Sequence, residues 1–320
     1  MRDSYGREID YLRVSVTDRC NLRCLYCLPT GGICFSPQSE ILSLEEMLEI
    51  LKVATESGIR RIRITGGEPL LRKGLAFFLA KVKALPGVED LSLTTNGLLL
   101  EDWAAQLREV GVDRLNISLD TLRPDRFREI TRGGDLRKVL QGIAQAEREG
   151  FSPLKVNMVL MRRTADEIPD FLRLTLERPL HVRFIELMPV GEGSGQSTEF
   201  LPVADALREL EPLQPLPAGL EGGGPARYYR IPKAAGTVGF IAAHSQNFCG
   251  GCRRVRLGAD GFLHACLAEE GGIDLRGPLR QGVSGEKLRE IFRQGVFAKP
   301  REGDFRWGKE PCRVMSRIGG

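Results

Sequence analysis

Between positions 11 and 187, short β-prone runs alternate with longer amphipathic stretches. A strand followed by a helical spacer, repeated, is the pattern of βα units joined by right-handed crossovers into a parallel sheet. Six strands are predicted, at 11–16, 61–65, 91–95, 114–119, 154–160 and 181–187. Helix signals punctuate the spacers. Ser43 with Glu46 and Thr164 with Glu167 read as capping boxes, and Gly58, Gly111 and Gly150 sit where left-handed C-terminal caps belong.

Polarity alternates within these strands, whereas parallel strands covered on both faces usually read as continuous apolar runs. One parity carries Val14 and Val16, Ile62 and Ile64, Leu91 and Leu93, Leu115 and Ile117, Val156 and Met158, and Val182 and Phe184. The other carries Arg13 and Ser15, Arg63 and Thr65, Ser92 and Thr94, Asn116 and Ser118, Lys155 and Asn157, and Arg183. Successive side chains of a strand point to opposite faces, so the first set packs under helices and the second lines the concave side. An antiparallel sheet with one wet face would also alternate, but spacers of ten or more residues do not suit hairpins. The expected fold class is α/β, a partial (β/α)6 TIM-type barrel open enough for a large polar ligand. A Gly- and Pro-rich stretch at 212–225 then suggests a boundary. The expected division is a barrel over 1–225, with 190–225 partly linker, and a C-terminal α+β extension over 226–320.

Composition narrows the class without deciding it. The 320 residues are 42% hydrophobic and 28% charged, ordinary for a soluble globular protein. No apolar run approaches a membrane span and positions 1–10 show no secretory h-region, so no membrane partner and a cytoplasmic location are expected. The net charge of +4 is too mild to make nucleic acid the main partner. Eight cysteines in such a compartment favour metal over disulfides.

Cys20, Cys24 and Cys27 form a C-x3-C-x2-C group directly after the first strand, at the C-terminal mouth where βα barrels build active sites. Three thiolates suit a four-iron cluster and leave one iron open; spacing alone also allows buried thiols or zinc with a further ligand. A second triad, Cys249, Cys252 and Cys266, surrounds Arg253, Arg254 and Arg256. It too could be a zinc knuckle, completed by Cys312, His264 or His244. Guanidinium forks suit phosphate oxygens. Together with Arg13, Arg63, Lys155 and Arg183 they make a triphosphate the favoured ligand, a solvated strand face being the plainer alternative.

The run Cys20-Asn21-Leu22-Arg23-Cys24-Leu25-Tyr26-Cys27 resembles the signature of the radical S-adenosylmethionine (SAM) superfamily, and Gly66-Gly67-Glu68-Pro69 is similar to its GGEP element. With C-x2-C-x13-C, Arg254-Val255-Arg256 and a Gly319-Gly320 tail, the whole chain resembles the GTP 3',8-cyclase family, the molybdenum cofactor biosynthesis protein A family. The resemblance implies a lyase with two [4Fe-4S] clusters and SAM, acting on GTP. It implies that Cys20, Cys24 and Cys27 hold the SAM-binding cluster and that Cys249, Cys252 and Cys266 hold a second one for the guanine. By the same resemblance Tyr26, Gly67, Ser118 and Met188 contact SAM. Arg13, Arg63, Thr94 (or Thr95), Lys155, Arg183, Arg254, Val255 and Arg256 would contact GTP, and Arg254 and Arg256 would be catalytic. The implied partners are an external one-electron reductant and a downstream cyclic pyranopterin monophosphate synthase, with the enzyme a homodimer. Leu28-Pro29 departs from the family's methionine-proline, Cys34 and Cys312 have no implied role, and the diglycine tail is expected to reach the active site. A peptide-modifying radical SAM enzyme and a zinc-stabilised nucleic-acid-binding module are the alternatives.

Overall fold

The computed structural model describes residues 1–29, 31, 35–208, 213–217, 224–269, 271–308 and 315–318. The six predicted strands form as β1 (Tyr11–Ser15), β2 (Arg61–Thr65), β3 (Asp90–Thr95), β4 (Arg114–Ser118), β5 (Leu154–Leu160) and β6 (Leu180–Glu186). Each pairs in parallel with the next. The crossovers hold α1 (Leu44–Glu56), α2 (Leu75–Lys83), α3 (Leu100–Glu109), α4 (Pro124–Thr131), α5 (Leu136–Arg148) and α6 (Ile168–Glu177). Their apolar faces meet the apolar strand parity: Val14, Ile62, Leu91, Leu115, Val156 and Val182 share one buried cluster with Leu51, Leu79, Leu107, Ile143 and Phe171. Burial of this kind contributes about 25 cal/mol for each Å2 of apolar surface removed from water.

The later chain joins the same sheet. It comprises α7 (Val203–Arg208), β7 (Gln214–Pro215), β8 (Arg227–Arg230), β9 (Thr237–Ile241), β10 (Arg254–Leu257), β11 (Phe262–His264), β12 (Ile273–Asp274), α8 (Arg276–Arg280), α9 (Gly285–Phe297) and α10 (Met315–Ile318). The strand order is β12-β11-β10-β1-β2-β3-β4-β5-β6-β9-β8-β7. Here the structure adds to the sequence reading, because β9 pairs in parallel with β6 and β10 in parallel with β1. Two strands expected in an extension therefore flank the six. Among the described residues β9 and β10 do not pair, so the barrel stays open and residues 242–253 cross from one edge to the other. No helix among the described residues is long and apolar enough to cross a membrane.

One buried carboxylate fixes the start of that crossing. Glu186, the last residue of β6, accepts from His244 N at 2.9 Å, Ser245 N at 2.8 Å, Ser245 Oγ at 2.5 Å and Val203 N at 2.9 Å. Local signals elsewhere also act as read. Ser43 and Glu46 form their capping box, with Glu46 N donating to Ser43 Oγ and Ser43 N to Glu46 Oε2. The φ angles of Gly58, Gly111 and Gly150 are 104°, 84° and 79°. The Thr164–Glu167 box does not form. Residues 162–167 make a 3-10 turn, and Pro169 in the first turn of α6 sets that helix to begin at Ile168. Glu167 instead accepts from Thr121 Oγ1, Leu122 N and Arg126 Nη1, each at 2.6 Å.

Removing Glu186 leaves buried donors unpaired, which costs about 3 kcal/mol. Over 320 residues, at about 2 cal/mol/K per residue, Glu186→Ala is expected to lower the thermal midpoint by about 4–5 °C, read by scanning calorimetry. An unchanged midpoint would show that the crossing does not depend on this carboxylate.

Candidate active site

The polar strand parity converges on a cavity of ≈ 360 Å3 lined by Arg13, Arg63, Thr94, Ser118, Asn157 and Arg183 from the barrel strands. All six described cysteines also line it. Strand direction separates the two triads. Cys20, Cys24 and Cys27 follow the C-terminal end of β1, whereas Cys252 precedes the N-terminal end of β10 and Cys266 follows β11, which runs antiparallel to β10. One triad therefore lies at the mouth and the other at the floor.

At the mouth, Gly67 N donates to Thr17 O at 2.7 Å and Glu68 N to Arg19 O at 2.8 Å, so the end of β2 braces the strand-to-cysteine turn. A Cβ on Gly67 would stand 2.3 Å from Arg19 O, and one on Gly66 2.7 Å from Thr17 O. These glycines are thus required by the close backbone approach of two protein segments as well as by any ligand. The Glu68 carboxylate accepts from Thr95 Oγ1 and Asn96 N at 2.8 Å and from Leu70 N at 3.1 Å. Burial nevertheless pushes it up to about 7. Asn96 Nδ2 then reaches Cys20 Sγ at 3.8 Å. Tyr26 donates its hydroxyl to Asp120 Oδ2 at 2.6 Å, and Asp120 Oδ1 accepts from Val159 N at 2.9 Å. Tyr26, Gly67, Ser118 and Met188, the residues expected at SAM, all line this cavity.

Burial raises all three thiols of the first triad, Cys24 well above its ordinary value and Cys27 to about 12, with Cys20 adding to the latter. Such thiols stay protonated until a cationic metal centre takes their charge. At the floor the balance differs. Burial raises the Cys252 thiol, but Arg254 and Lys299 overcome it and bring it down to about 7. Three cysteines at each end fit a four-iron cluster with one iron left without a protein ligand. The histidines considered for zinc are engaged: His264 Nδ1 hydrogen-bonds Gly271 O at 2.8 Å, and His244 Nε2 accepts from Trp307 Nε1 at 3.0 Å. Among the described residues no three Cys, His, Asp or Glu side chains are grouped to hold a single metal ion.

Between the triads runs a band of cations. Parallel pairing places Arg13 in register with Arg63 on β2 and with Arg256 on β10. Burial, then Arg256 and Arg63, pulls Arg13 well below its ordinary value, and burial with Arg254 brings Arg256 down to about 10. Arg13 Nε and the Tyr11 hydroxyl are buried without a hydrogen-bond partner among the described residues. Arg183 donates to Asn157 Oδ1 at 2.8 Å and Asn116 Oδ1 at 2.6 Å. The cavity's carboxylates among the described residues, Asp120 and Glu186, are already engaged. Crowded cations of this kind call for an anion from outside the chain.

Two expected contacts lie elsewhere. Lys155 is buried but does not line the cavity, and Val255 packs into the apolar core and does not line it either. Arg253 turns away to Asp10 and Glu8. Cys34, Cys312 and the Gly319-Gly320 tail lie outside the described residues. Sequence reasoning missed Tyr11, which shares the parity of Arg13, and Lys299, which no strand pattern marks.

The Radical SAM superfamily model matches residues 14–175, and the Molybdenum Cofactor Synthesis C model matches residues 180–305. The GTP 3',8-cyclase of Heliobacterium modesticaldum is 50% identical, that of Pelotomaculum thermopropionicum 48% and that of Moorella thermoacetica 46%, each over 100% of both chains. A crystal structure of Streptococcus suis SuiB is 18% identical with a TM-score of 0.45, covering 55% of this chain and 40% of that one.

Gly67→Ala is expected to disrupt the brace at the mouth, lowering the thermal midpoint and the iron retained by the first triad; wild-type values for both would contradict the packing argument. A pH effect follows from Glu68, whose folded value of about 7 exceeds its ordinary 4.5. The folded chain keeps a proton that the unfolded chain releases, so this group's contribution to stability falls as pH rises between those values. Glu68→Gln should flatten that part of the thermal midpoint's pH profile, and an unaltered slope would place the titration elsewhere.

Proposed function

The chain belongs to the GTP 3',8-cyclase family of the radical SAM superfamily, and on that footing we propose that it converts GTP to (8S)-3',8-cyclo-7,8-dihydroguanosine 5'-triphosphate, the first step of molybdenum cofactor biosynthesis. The observation that carries this reading is two thiol triads at opposite ends of one lumen, with a register row of lumen-lining arginines between them.

In this reading Cys20, Cys24 and Cys27 hold the first [4Fe-4S] cluster and Cys249, Cys252 and Cys266 the second. When bound, the first cluster with SAM supplies the radical that takes a hydrogen atom from the ribose 3' carbon, and the second supplies an open iron for the guanine. The chain's own groups do the positioning. Arg13, Arg63 and Arg256, in one register row, grip the triphosphate with Arg254 and Arg183, and Thr94 contributes a hydroxyl from β3. Val255 takes part through its main chain, and Lys155 contributes positive potential from behind the lining. Bidentate guanidinium contacts fix the orientation of the phosphates as well as binding them. That orientation holds the ribose between the two ends and converts an encounter into a near-attack arrangement, worth about 7–11 kcal/mol when complete. At the mouth Tyr26, Gly67, Ser118 and Met188 contact SAM, and Asp120 holds the Tyr26 ring in place.

The same reading includes a cytoplasmic homodimer, an external one-electron reductant and delivery of product to a cyclic pyranopterin monophosphate synthase. It treats 1–225 as the barrel unit, with 190–225 partly linker, and 226–320 as the region that carries the second cluster and contributes to GTP binding.

Arg256→Ala is expected to weaken GTP binding about tenfold, the loss of one charge-assisted contact at roughly 1.4 kcal/mol, while SAM cleavage persists. Unchanged GTP affinity in anaerobic equilibrium dialysis would overturn that assignment. Cys24→Ser should abolish SAM cleavage, and 5'-deoxyadenosine still formed by this variant would contradict the first-site assignment.

A further inference from the structure

The segment ahead of β1 reaches the floor of the barrel. Arg7, with its side chain 8% exposed, donates Nη1 to Cys249 O at 2.8 Å and to Arg301 O at 2.9 Å, and Nη2 to Pro300 O at 2.6 Å. Its Nε is paired with the fully buried Asp3 carboxylate at 2.6 Å. Asp3 is held in turn by Tyr5 N at 3.0 Å and Arg7 N at 2.9 Å. The chain gripped at Pro300 and Arg301 begins with Lys299, itself buried, whose Nζ donates to Arg254 O at 2.8 Å and Ala265 O at 2.5 Å. Two buried cations therefore hold the carbonyls of Cys249, of the residue two after Cys252, and of the residue just before Cys266. Arg7 does not line the cavity, so it acts through the main chain rather than on substrate.

We propose that the Asp3–Arg7 pair is the positioning element of the second triad, setting the Cys249 main chain directly and the other two cysteines through the Lys299 segment. This rests on the reading that the second triad holds an iron–sulfur cluster. Arginine suits the task because its planar fork serves several acceptors at once, which a lysine ammonium on a flexible stem does less well.

The test uses the full chain, reconstituted anaerobically, as wild type, Arg7→Ala, Arg7→Lys and, as the reference for a lost second site, Cys249→Ser. Iron content, the electron paramagnetic resonance of the second cluster with and without GTP, and dithionite-driven 5'-deoxyadenosine formation are read together. Arg7→Ala is expected to lose most second-site iron and to weaken the GTP response about tenfold, the size typical of outer-shell supports. First-site SAM cleavage should stay within about twofold of wild type, and Arg7→Lys should fall between. Wild-type iron and GTP response in Arg7→Ala would overturn the proposal, as would equal iron loss at both sites, which marks a general folding role. Iron unchanged in Cys249→Ser would instead defeat the two-cluster reading, and the proposal with it.

Discussion

Parallel pairing puts Arg63, Arg13 and Arg256 side by side on β2, β1 and β10, where all three line the lumen and partial desolvation weakens their solvation. Removing one ion from water costs several kcal/mol even after relaxation, and like neighbours add to that cost. The strands can hold such a row because the opposite parity packs a large apolar core under the helices. Stability generated outside the barrel thus offsets strain kept inside it, a division expected where a site is built to receive a ligand. The two lining carboxylates among the described residues, Asp120 and Glu186, are engaged elsewhere, and in the proposed reading a triphosphate supplies the negative charge.

The two triads depend on the same strands by different means. At the mouth, β2 ends in glycines that let its backbone rest on the Thr17–Arg19 turn, so the cysteine loop inherits the rigidity of the sheet. At the floor Cys249 and Cys252 ride on the segment that crosses the open side of the barrel, and Cys266 follows β11. Glu186 fixes where that crossing begins, Arg7 holds its Cys249 carbonyl, and Lys299 holds the carbonyls of Arg254 and Ala265 beside the other two cysteines. The gap that leaves the barrel open is also what brings a second triad to the lumen.

Much of this was legible in the sequence because period-two polarity is a direct record of which face each strand buries. The alternation from Arg13 to Arg183 gave six strands, their inward set and the cationic lumen, and the cysteine spacing gave the mouth. What stayed hidden depended on contacts distant in sequence. The strand 237–241 is uniformly buried and the strand 254–257 is short, so neither announced that it would pair in parallel with the barrel. Gly67 is implied as a SAM contact by resemblance, but nothing in the sequence shows that it and Gly66 also pack against the Thr17–Arg19 turn. Thr164 and Glu167 matched a capping box, yet Glu167 found better-satisfied partners in the turn before α4. Nothing in the spacing of Asp3, Arg7 or Lys299 linked them to cysteines so far along the chain.

The central claim is that both triads hold iron and face one GTP-binding lumen. The most direct measurement is the iron and zinc content of anaerobically purified protein, with each triad replaced in turn by serines. The account predicts about eight irons per chain, about four in either variant, and no zinc, as two four-iron clusters require. Zinc at the second triad, or iron that survives replacement of both, would contradict it.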